Sequence, residues 1–150
     1  MKSHLFGQSC ALLGALTFLI ESASVNHLPA AETGGVAEHS GNPIFPGWYA
    51  DPEAKVFGKA YWIYPTYSAP YNEQTFFDAF SSPDLVHWTK HGRIMDTNGV
   101  PWAHRAVWAP AVAENNGRYF IFFGANDIQN DHQVGGLGVA VADKPAGPFK

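Results

Sequence analysis

The chain has 150 residues, of which 46% are hydrophobic, 15% aromatic and 15% charged, and its formal net charge is −4. A charged share below the roughly 25% of ordinary globular domains favours a β-rich fold with buried strands and excludes a highly charged, disordered polypeptide. The sequence has no cluster of lysine and arginine, which excludes the concentrated basic face that a nucleic-acid partner requires.

The N-terminus, residues 1–24, has the pattern of a secretory signal peptide. Lys2 precedes an apolar run, Ala11–Ile20, and small residues follow up to Ser24, after which a signal peptidase is expected to cut. The apolar run is too short for a bilayer, which takes about 20 residues to cross. The only cysteine, Cys10, lies in this segment, so the mature protein would have no disulfide. We therefore expect a secreted or periplasmic protein without membrane contact after processing; a retained hydrophobic helix is the alternative.

Residues 25–41 are rich in glycine, alanine and small polar residues and are predicted to form a flexible leader. From residue 42 onward, short aromatic runs alternate with glycine, proline, asparagine and aspartate, and no segment has the apolar period of a helix. Residues 42–150 are therefore predicted to be all-β. The strands predicted in the first half are 54–57, 60–64, 75–80, 86–89 and 93–95. Pro65 is expected to end the second of them, because proline lacks a backbone N–H.

The second half repeats this organisation. Its predicted strands are 108–113, 118–123 and 137–142. Asn116-Gly117 fits the two-residue type I′ turn of a hairpin, and Tyr61 and Tyr119 lie 58 positions apart. Two four-stranded modules at a spacing of roughly 60 residues indicate a radial repeat such as a β-propeller. Two blades cannot close a ring of four to eight, so we expect a truncated propeller, the front part of a longer protein; a self-sufficient two-module sandwich is the alternative.

Three motifs lie at the boundaries of the predicted modules. They are Asn42–Pro52 (NPIFPGWYADP), Ser82–Trp88 (SPDLVHW) and Val107–Pro110 (VWAP). In this order and spacing they resemble the N-terminal part of glycoside hydrolase family 43, which includes arabinanases, β-xylosidases and α-L-arabinofuranosidases. The resemblance covers residues 42–150 and implies the first two blades of a five-bladed β-propeller whose active site lies on the central axis.

The first motif contains a carboxylate, Asp51, directly before Pro52. On local grounds an Asp-Pro pair is a common turn, although proline also favours an extended backbone before it, which would direct the carboxylate along a strand towards the axis. The resemblance implies that Asp51 is the general base of an inverting hydrolysis, which takes a proton from water. The family's general acid, a glutamate, and the aspartate that tunes acidity match positions beyond Lys150. This chain is therefore expected to be inactive by itself.

Two further residues are candidates for substrate binding. The resemblance places Trp108 against the sugar at the cleavage point, where an aromatic ring packs on apolar C–H groups; a tryptophan in the blade core is the alternative. Asp127 follows strand 118–123 and is a candidate for the pocket rim, and a Gly-Ala-Asn-Asp turn explains it equally well. Glu53, two residues after Asp51, is expected on the same strand face, paired or solvated at a blade edge.

The sequence assigns no metal and no other cofactor. Its seven histidines have no paired metal-ligand spacing such as HxxxH. Some relatives hold a metal ion on the axis, but no residue here can be assigned to one. The leading prediction is a monomeric, exported glycosidase that acts on arabinose- or xylose-containing plant polysaccharides or oligosaccharides. A non-catalytic carbohydrate-binding propeller and a protein-binding propeller scaffold are the alternatives.

Overall fold

The computed structural model describes residues 41–126 and 134–150, which form seven β-strands and one turn of 3₁₀ helix. The predicted all-β class is confirmed for this part of the chain. The predicted signal peptide, the predicted leader up to residue 40 and Asp127 lie outside the described residues. Where the chain is described, no helix is long and apolar enough to cross a membrane.

The strands form two antiparallel sheets in which neighbours in sequence are neighbours in space. The first sheet consists of β1 (Tyr49–Phe57), β2 (Ala60–Tyr67), β3 (Phe76–Ser82) and β4 (Thr89–Asp96). The 3₁₀ turn, Thr97–Gly99, follows β4. The second sheet consists of β5 (Trp108–Asn115), β6 (Arg118–Ala125) and β7 (Gly136–Ala142). Lys150 exchanges two backbone hydrogen bonds with Val141 of β7, at 2.8 and 3.1 Å.

The register of the two sheets confirms the repeat that the tyrosines predicted. Ala50 pairs with Thr66 in the first sheet, and Trp108 pairs with Gly124 in the second, so each pair is shifted by the same 58 positions. The loop between β5 and β6 is also as predicted. Its two residues, Asn116 and Gly117, both have positive φ, 52° and 76°, as a type I′ turn requires.

Several strand predictions were wrong at their ends. β1 begins at Tyr49, before the predicted 54–57, and the predicted strands 86–89 and 93–95 correspond to one strand, β4. Pro65 lies inside β2 rather than after it, because the ladder to β1 is interrupted opposite this residue and no N–H is needed there. Residues 86–88 form a turn, and β4 begins only at Thr89. The turn is held by the Asp84 carboxylate, whose Oδ1 accepts the backbone N–H groups of Val86 and His87 at 2.9 and 2.8 Å. A side chain that binds local N–H groups competes with strand pairing.

The two sheets pack against each other through one face of each. Phe77 of β3 and Phe123 of β6 are almost completely buried, and their rings meet edge to face with 5.8 Å between centroids. Phe57 and Tyr119 make a similar contact at 5.1 Å. The Tyr64 hydroxyl donates to the carbonyl oxygen of Pro145 at 3.0 Å, and burial raises the pKa of this phenol. The shared core fixes β1 and β2 beside β5.

Candidate active site

Asp51 lies in a β-bulge. The register of β1 to β2 jumps between Ala50 and Glu53, and Asp51 has a φ of 47°. The extended backbone expected before Pro52 is therefore wrong at this residue, which adopts the left-handed region that L-residues rarely occupy. The same feature recurs in β5, where Ala109 also precedes a proline and has a φ of 48°. Bulges redirect side chains beside functional sites, and both bulges lie at one cavity.

A hydrogen-bonded chain joins the two bulges. The backbone N–H of Ala109 donates to Thr66 Oγ1 at 2.7 Å, and Thr66 Oγ1 donates to Asp51 Oδ2 at 3.0 Å. Thr66 lies in β2 between the two bulges and is only 3% exposed. One buried hydroxyl therefore links the Asp51 carboxylate to the backbone next to Trp108.

Asp51 and Trp108 line the same cavity, which has a volume of about 300 Å³. This volume is at the lower end of the range of about 300–1,000 Å³ that ligand pockets occupy. The lining residues are Ala50, Asp51, Thr66, Ser68, Tyr71, Gln74, Ala106, Trp108 and Asn126. Asp51 supplies the carboxylate among them and is exposed to solvent, so the carboxylate is within reach of water.

Trp108 is partly exposed and is not a core residue. Its indole lies across Gly124, its cross-strand partner in β6, and a Cβ atom on Gly124 would overlap the ring. The glycine therefore gives the indole room to lie against the sheet with one face towards the cavity. A partly exposed aromatic plate beside a carboxylate is suited to the C–H face of a sugar.

Three residues that build this cavity, Tyr71, Gln74 and Thr66, were not predicted from the sequence. Tyr71 stands half exposed at its rim, and its carbonyl oxygen accepts the N–H of Ala106 at 3.0 Å. Gln74 Nε2 donates to the Val107 carbonyl at 2.9 Å, while the Gln74 carbonyl accepts the Val107 N–H at 2.9 Å. The third, Thr66, was recognisable, because counting back from the tight turn between β1 and β2 puts it opposite Asp51.

Asn126 organises the loop beside the cavity instead of offering its amide to a ligand. It is buried, with a φ of 66°, and its Oδ1 accepts the His104 N–H at 2.9 Å. Its Nδ2 donates to the carbonyl oxygens of Trp102 and Val134 at 3.0 and 2.7 Å. The amide thus binds backbone on both sides. Asp127, the predicted rim residue, lies outside the described residues.

Glu53 was expected on the same strand face as Asp51, but it does not line the cavity that contains Asp51. The two bulge residues interrupt the alternation of side chains, and Glu53 turns towards the second sheet. Its Oε2 accepts the backbone N–H of Val112 in β5, and its Oε1 pairs with Lys55 Nζ at 2.8 Å. Glu53 was expected to be paired or solvated at a blade edge, and it is paired, with Lys55 and with the backbone of the second sheet.

A buried carboxylate that the sequence did not reveal, Asp78 of β3, anchors the start of β1. Its Oδ2 accepts the Tyr49 hydroxyl and Lys90 Nζ, both at 2.8 Å, and its Oδ1 accepts the Arg93 N–H at 2.8 Å. Burial acts to raise the pKa of Asp78, but the hydrogen bonds from Lys90, the Arg93 backbone and Tyr49 outweigh it and lower the pKa. Tyr49 is two residues before Asp51, so its hydrogen bond to Asp78 fixes the part of β1 that leads into the bulge.

No three His, Cys, Asp or Glu side chains come together as metal ligands within residues 41–126 and 134–150. Among its lining residues, the described part of the site has one carboxylate, Asp51, and one indole, Trp108, with the hydroxyl-bearing residues Thr66, Ser68 and Tyr71 beside them. It can hold a water molecule beside Asp51 and a sugar ring beside Trp108.

Comparison with known proteins identifies a family. The model of the Glycosyl hydrolases family 43 matches residues 40–150. The beta-D-galactofuranosidase xynD of Aspergillus niger is 46% identical, over 100% of this chain and 46% of its own length. Xylosidase/arabinosidase 43A of Humicola insolens is 32% identical, over 67% of this chain and 34% of its own length. The chain therefore spans less than half of the length of these relatives.

Solved structures agree with these matches. A GH43 β-xylosidase/α-arabinofuranosidase from a compost microbial metagenome, in complex with xylotriose, has a TM-score of 0.60 and 35% identity, covering 69% of this chain and 34% of that protein. The GH43_1 enzyme from Xanthomonas citri complexed with xylotriose has a TM-score of 0.61 and 30% identity, covering 70% of this chain and 32% of that protein.

Proposed function

This chain belongs to the Glycosyl hydrolases family 43, and we propose that it is the base-bearing part of a glycosidase. The proposed reaction is hydrolysis of O-glycosidic bonds in arabinose- or xylose-containing plant cell-wall polysaccharides or oligosaccharides. The relatives named xylosidase/arabinosidase and the two structures that contain xylotriose support this substrate class. The relative named a galactofuranosidase makes galactofuranosides a third group of substrates to assay.

The observation that carries the proposal is the shared cavity of Asp51 and Trp108. The indole holds the sugar by its apolar face, and the Asp51 carboxylate takes a proton from a water molecule as that water attacks the anomeric carbon. A second carboxyl group, roughly 6.5–9.5 Å from the base, has to protonate the leaving oxygen. The water enters on the face opposite the leaving group, so the anomeric configuration is inverted.

We propose that the second carboxyl group belongs to another blade of a longer, five-bladed propeller. Both sheets keep exposed apolar side chains, Val56 and Tyr61 on the first, and Phe122, Leu137 and Val139 on the second. Apolar patches of this kind are characteristic of surfaces that pack against a neighbour. The 58-residue repeat and the greater length of the relatives support further blades. This chain by itself should then release no nitrophenol from a nitrophenyl pentoside.

The experiment is Asp51→Asn in the full-length protein that carries this chain. We expect kcat on a nitrophenyl arabinofuranoside or xyloside to fall by about 10²–10⁴-fold, the contribution of a general base, while xylotriose still binds. Asp143→Asn is the matched control, since the Asp143 side chain is 90% exposed, and it should keep wild-type kcat. Wild-type activity in Asp51→Asn would contradict the assignment. Xylotriose binding without any hydrolysis by the wild type would favour a binding propeller.

We further propose that the protein is exported and acts as a monomer. The signal-like pattern of residues 1–24 supports the export. N-terminal sequencing of the mature protein should begin at Val25, and material recovered outside the cell that still begins at Met1 would contradict a cleaved signal.

A further inference from the structure

We propose that Thr66 is the positioning residue of Asp51 and couples the carboxylate to the strand that carries Trp108. The inference rests on the proposed role of Asp51 as the base. Its geometry is the chain from the Ala109 N–H to Thr66 Oγ1 at 2.7 Å and from this hydroxyl to Asp51 Oδ2 at 3.0 Å.

The direction of this chain is fixed by the chemistry of its ends. A backbone N–H can only donate, so Thr66 Oγ1 accepts from Ala109 and its single proton goes to Asp51. An ionised carboxylate can only accept. Thr66 therefore donates to the carboxyl group that would act as the base. Because Oδ2 is held by Thr66, Oδ1 is the oxygen left to accept a proton from water in the cavity.

The Asp51 side chain needs a contact from another residue to hold its position, and the rigid side chain of Thr66 provides one. Asp51 is exposed and lies in a bulge, so local strand pairing does not fix its side chain. Thr66 is buried in the middle of the sheet, and its branched Cβ restricts χ1. The Ala109 N–H lies one residue from Trp108, in the second bulge. One hydroxyl thus sets the position of the carboxylate relative to the indole that would hold the sugar.

The second sheet provides an internal comparison. The 58-residue repeat puts Ala109 in the place of Asp51 and Gly124 in the place of Thr66. The same bulge forms there without a carboxylate, and Gly124 has no side chain, so the indole of Trp108 takes the space over it. The Ala109 N–H of this second bulge donates to Thr66 of the first sheet instead. The backbone bulge therefore does not require a threonine at the facing position of its own sheet. The hydroxyl is present in the sheet where a carboxylate has to be held.

The test compares Thr66→Val, which keeps the shape and removes the hydroxyl, with Thr66→Ser, which keeps the hydroxyl, both in the full-length protein. We expect Thr66→Val to lower kcat about 10- to 100-fold, corresponding to a misplaced base, with KM changed less than about threefold. Thr66→Ser should restore kcat to within about threefold of the wild type. In the Asp51→Asn background, Thr66→Val should have no further effect on kcat, because the group that it positions is gone.

Each outcome separates this inference from the proposed function. Loss of activity in Asp51→Asn together with wild-type kcat in Thr66→Val would overturn the role of Thr66 and leave the base assignment intact. Equal impairment of the valine and serine variants would also overturn it. Wild-type activity in Asp51→Asn would instead refute the proposed function. If Thr66→Val does not fold, Thr66→Cys replaces it, since a thiol is a weak donor; an intermediate kcat supports the role, and wild-type kcat contradicts it.

Discussion

At the scale of single residues, the site depends on two positions in the left-handed region, Asp51 and Ala109, with φ of 47° and 48°. The sequence revealed both X-Pro pairs but not this conformation, because proline alone favours an extended residue before it. The pairing of β1 with β2 in the structure shows that Asp51 and Pro52 are left out of the ladder of backbone hydrogen bonds. The residue types of the site were thus predictable, whereas the direction in which Asp51 points was not.

Gly124→Ala tests whether Trp108 has to lie flat on the sheet. The new methyl group would overlap the indole, so the ring must move and lose contact with the sugar. Loss of an aromatic contact of about 0.5–1.5 kcal/mol should raise KM up to about tenfold and shift the tryptophan fluorescence. Gly136→Ala in β7, where a Cβ meets nothing within 4 Å, is the control, and an equal KM in both variants would show that the indole position is irrelevant.

At the scale of elements, the buried Asp78 holds three strands of the first sheet together. Aromatic runs between turn residues predicted nearly every strand, since burial of alternating aromatics is a local signal. The role of Asp78, which lies in the aromatic run of β3, was not predicted. Its partners Tyr49, Lys90 and Arg93 lie on β1 and β4. Side-chain partners that come from other strands cannot be read from local spacing. The failed strand at 86–89 has a different, local cause, since the Asp84 carboxylate accepts the backbone N–H groups of Val86 and His87.

Asp78→Asn should destabilise the protein by about 2–3 kcal/mol at pH 7, because the amide has one acceptor oxygen for three donors, the Lys90 ammonium, the Tyr49 hydroxyl and the Arg93 N–H, and loses the charge that pairs with Lys90. The pKa of Asp78 is lowered in the folded state. Its stabilisation is therefore complete above the unfolded pKa of about 3.9 and is lost as pH falls through the folded pKa. Urea unfolding at pH 7 and below pH 4 measures this, and the difference between variant and wild type should shrink in acid.

A difference that grows as the pH falls would contradict the role of the charged form of Asp78. Asp143→Asn, at an exposed position, is again the control and should change the free energy of unfolding by less than about 0.5 kcal/mol at either pH.

At the scale of the whole molecule, the two described sheets share one core. The repeat was predictable from the sequence because the aromatic runs and turns recur in the same order. The contacts between the sheets were not, since Glu53 and Thr66 bind backbone groups of β5 and Tyr64 binds the carbonyl oxygen of Pro145 after β7. Such groups carry no sequence signal. The cavity depends on these contacts, because Asp51 and Trp108 lie on different sheets.

Phe123→Ala should therefore weaken both sheets together. Phe123 is 1% exposed and meets Phe77 of the other sheet, so its truncation should cost about 3–5 kcal/mol. Hydrogen exchange should speed up in β1–β3 as well as in β5–β7. Phe122→Ala is the control from the same strand, since Phe122 is 48% exposed and should cost clearly less. Faster exchange confined to the second sheet would show that the sheets unfold independently.

The role of Asp51 as the base is tested most directly by the anomeric configuration of the sugar when it is first released. Proton NMR of the full-length protein acting on a nitrophenyl pentoside would record the anomer before mutarotation. Water activated by Asp51 attacks opposite the leaving group, so the first anomer should have the inverted configuration. A first anomer with the retained configuration would contradict the account, because the reaction would then pass through a covalent glycosyl-enzyme and Asp51 would not be the base that activates the attacking water.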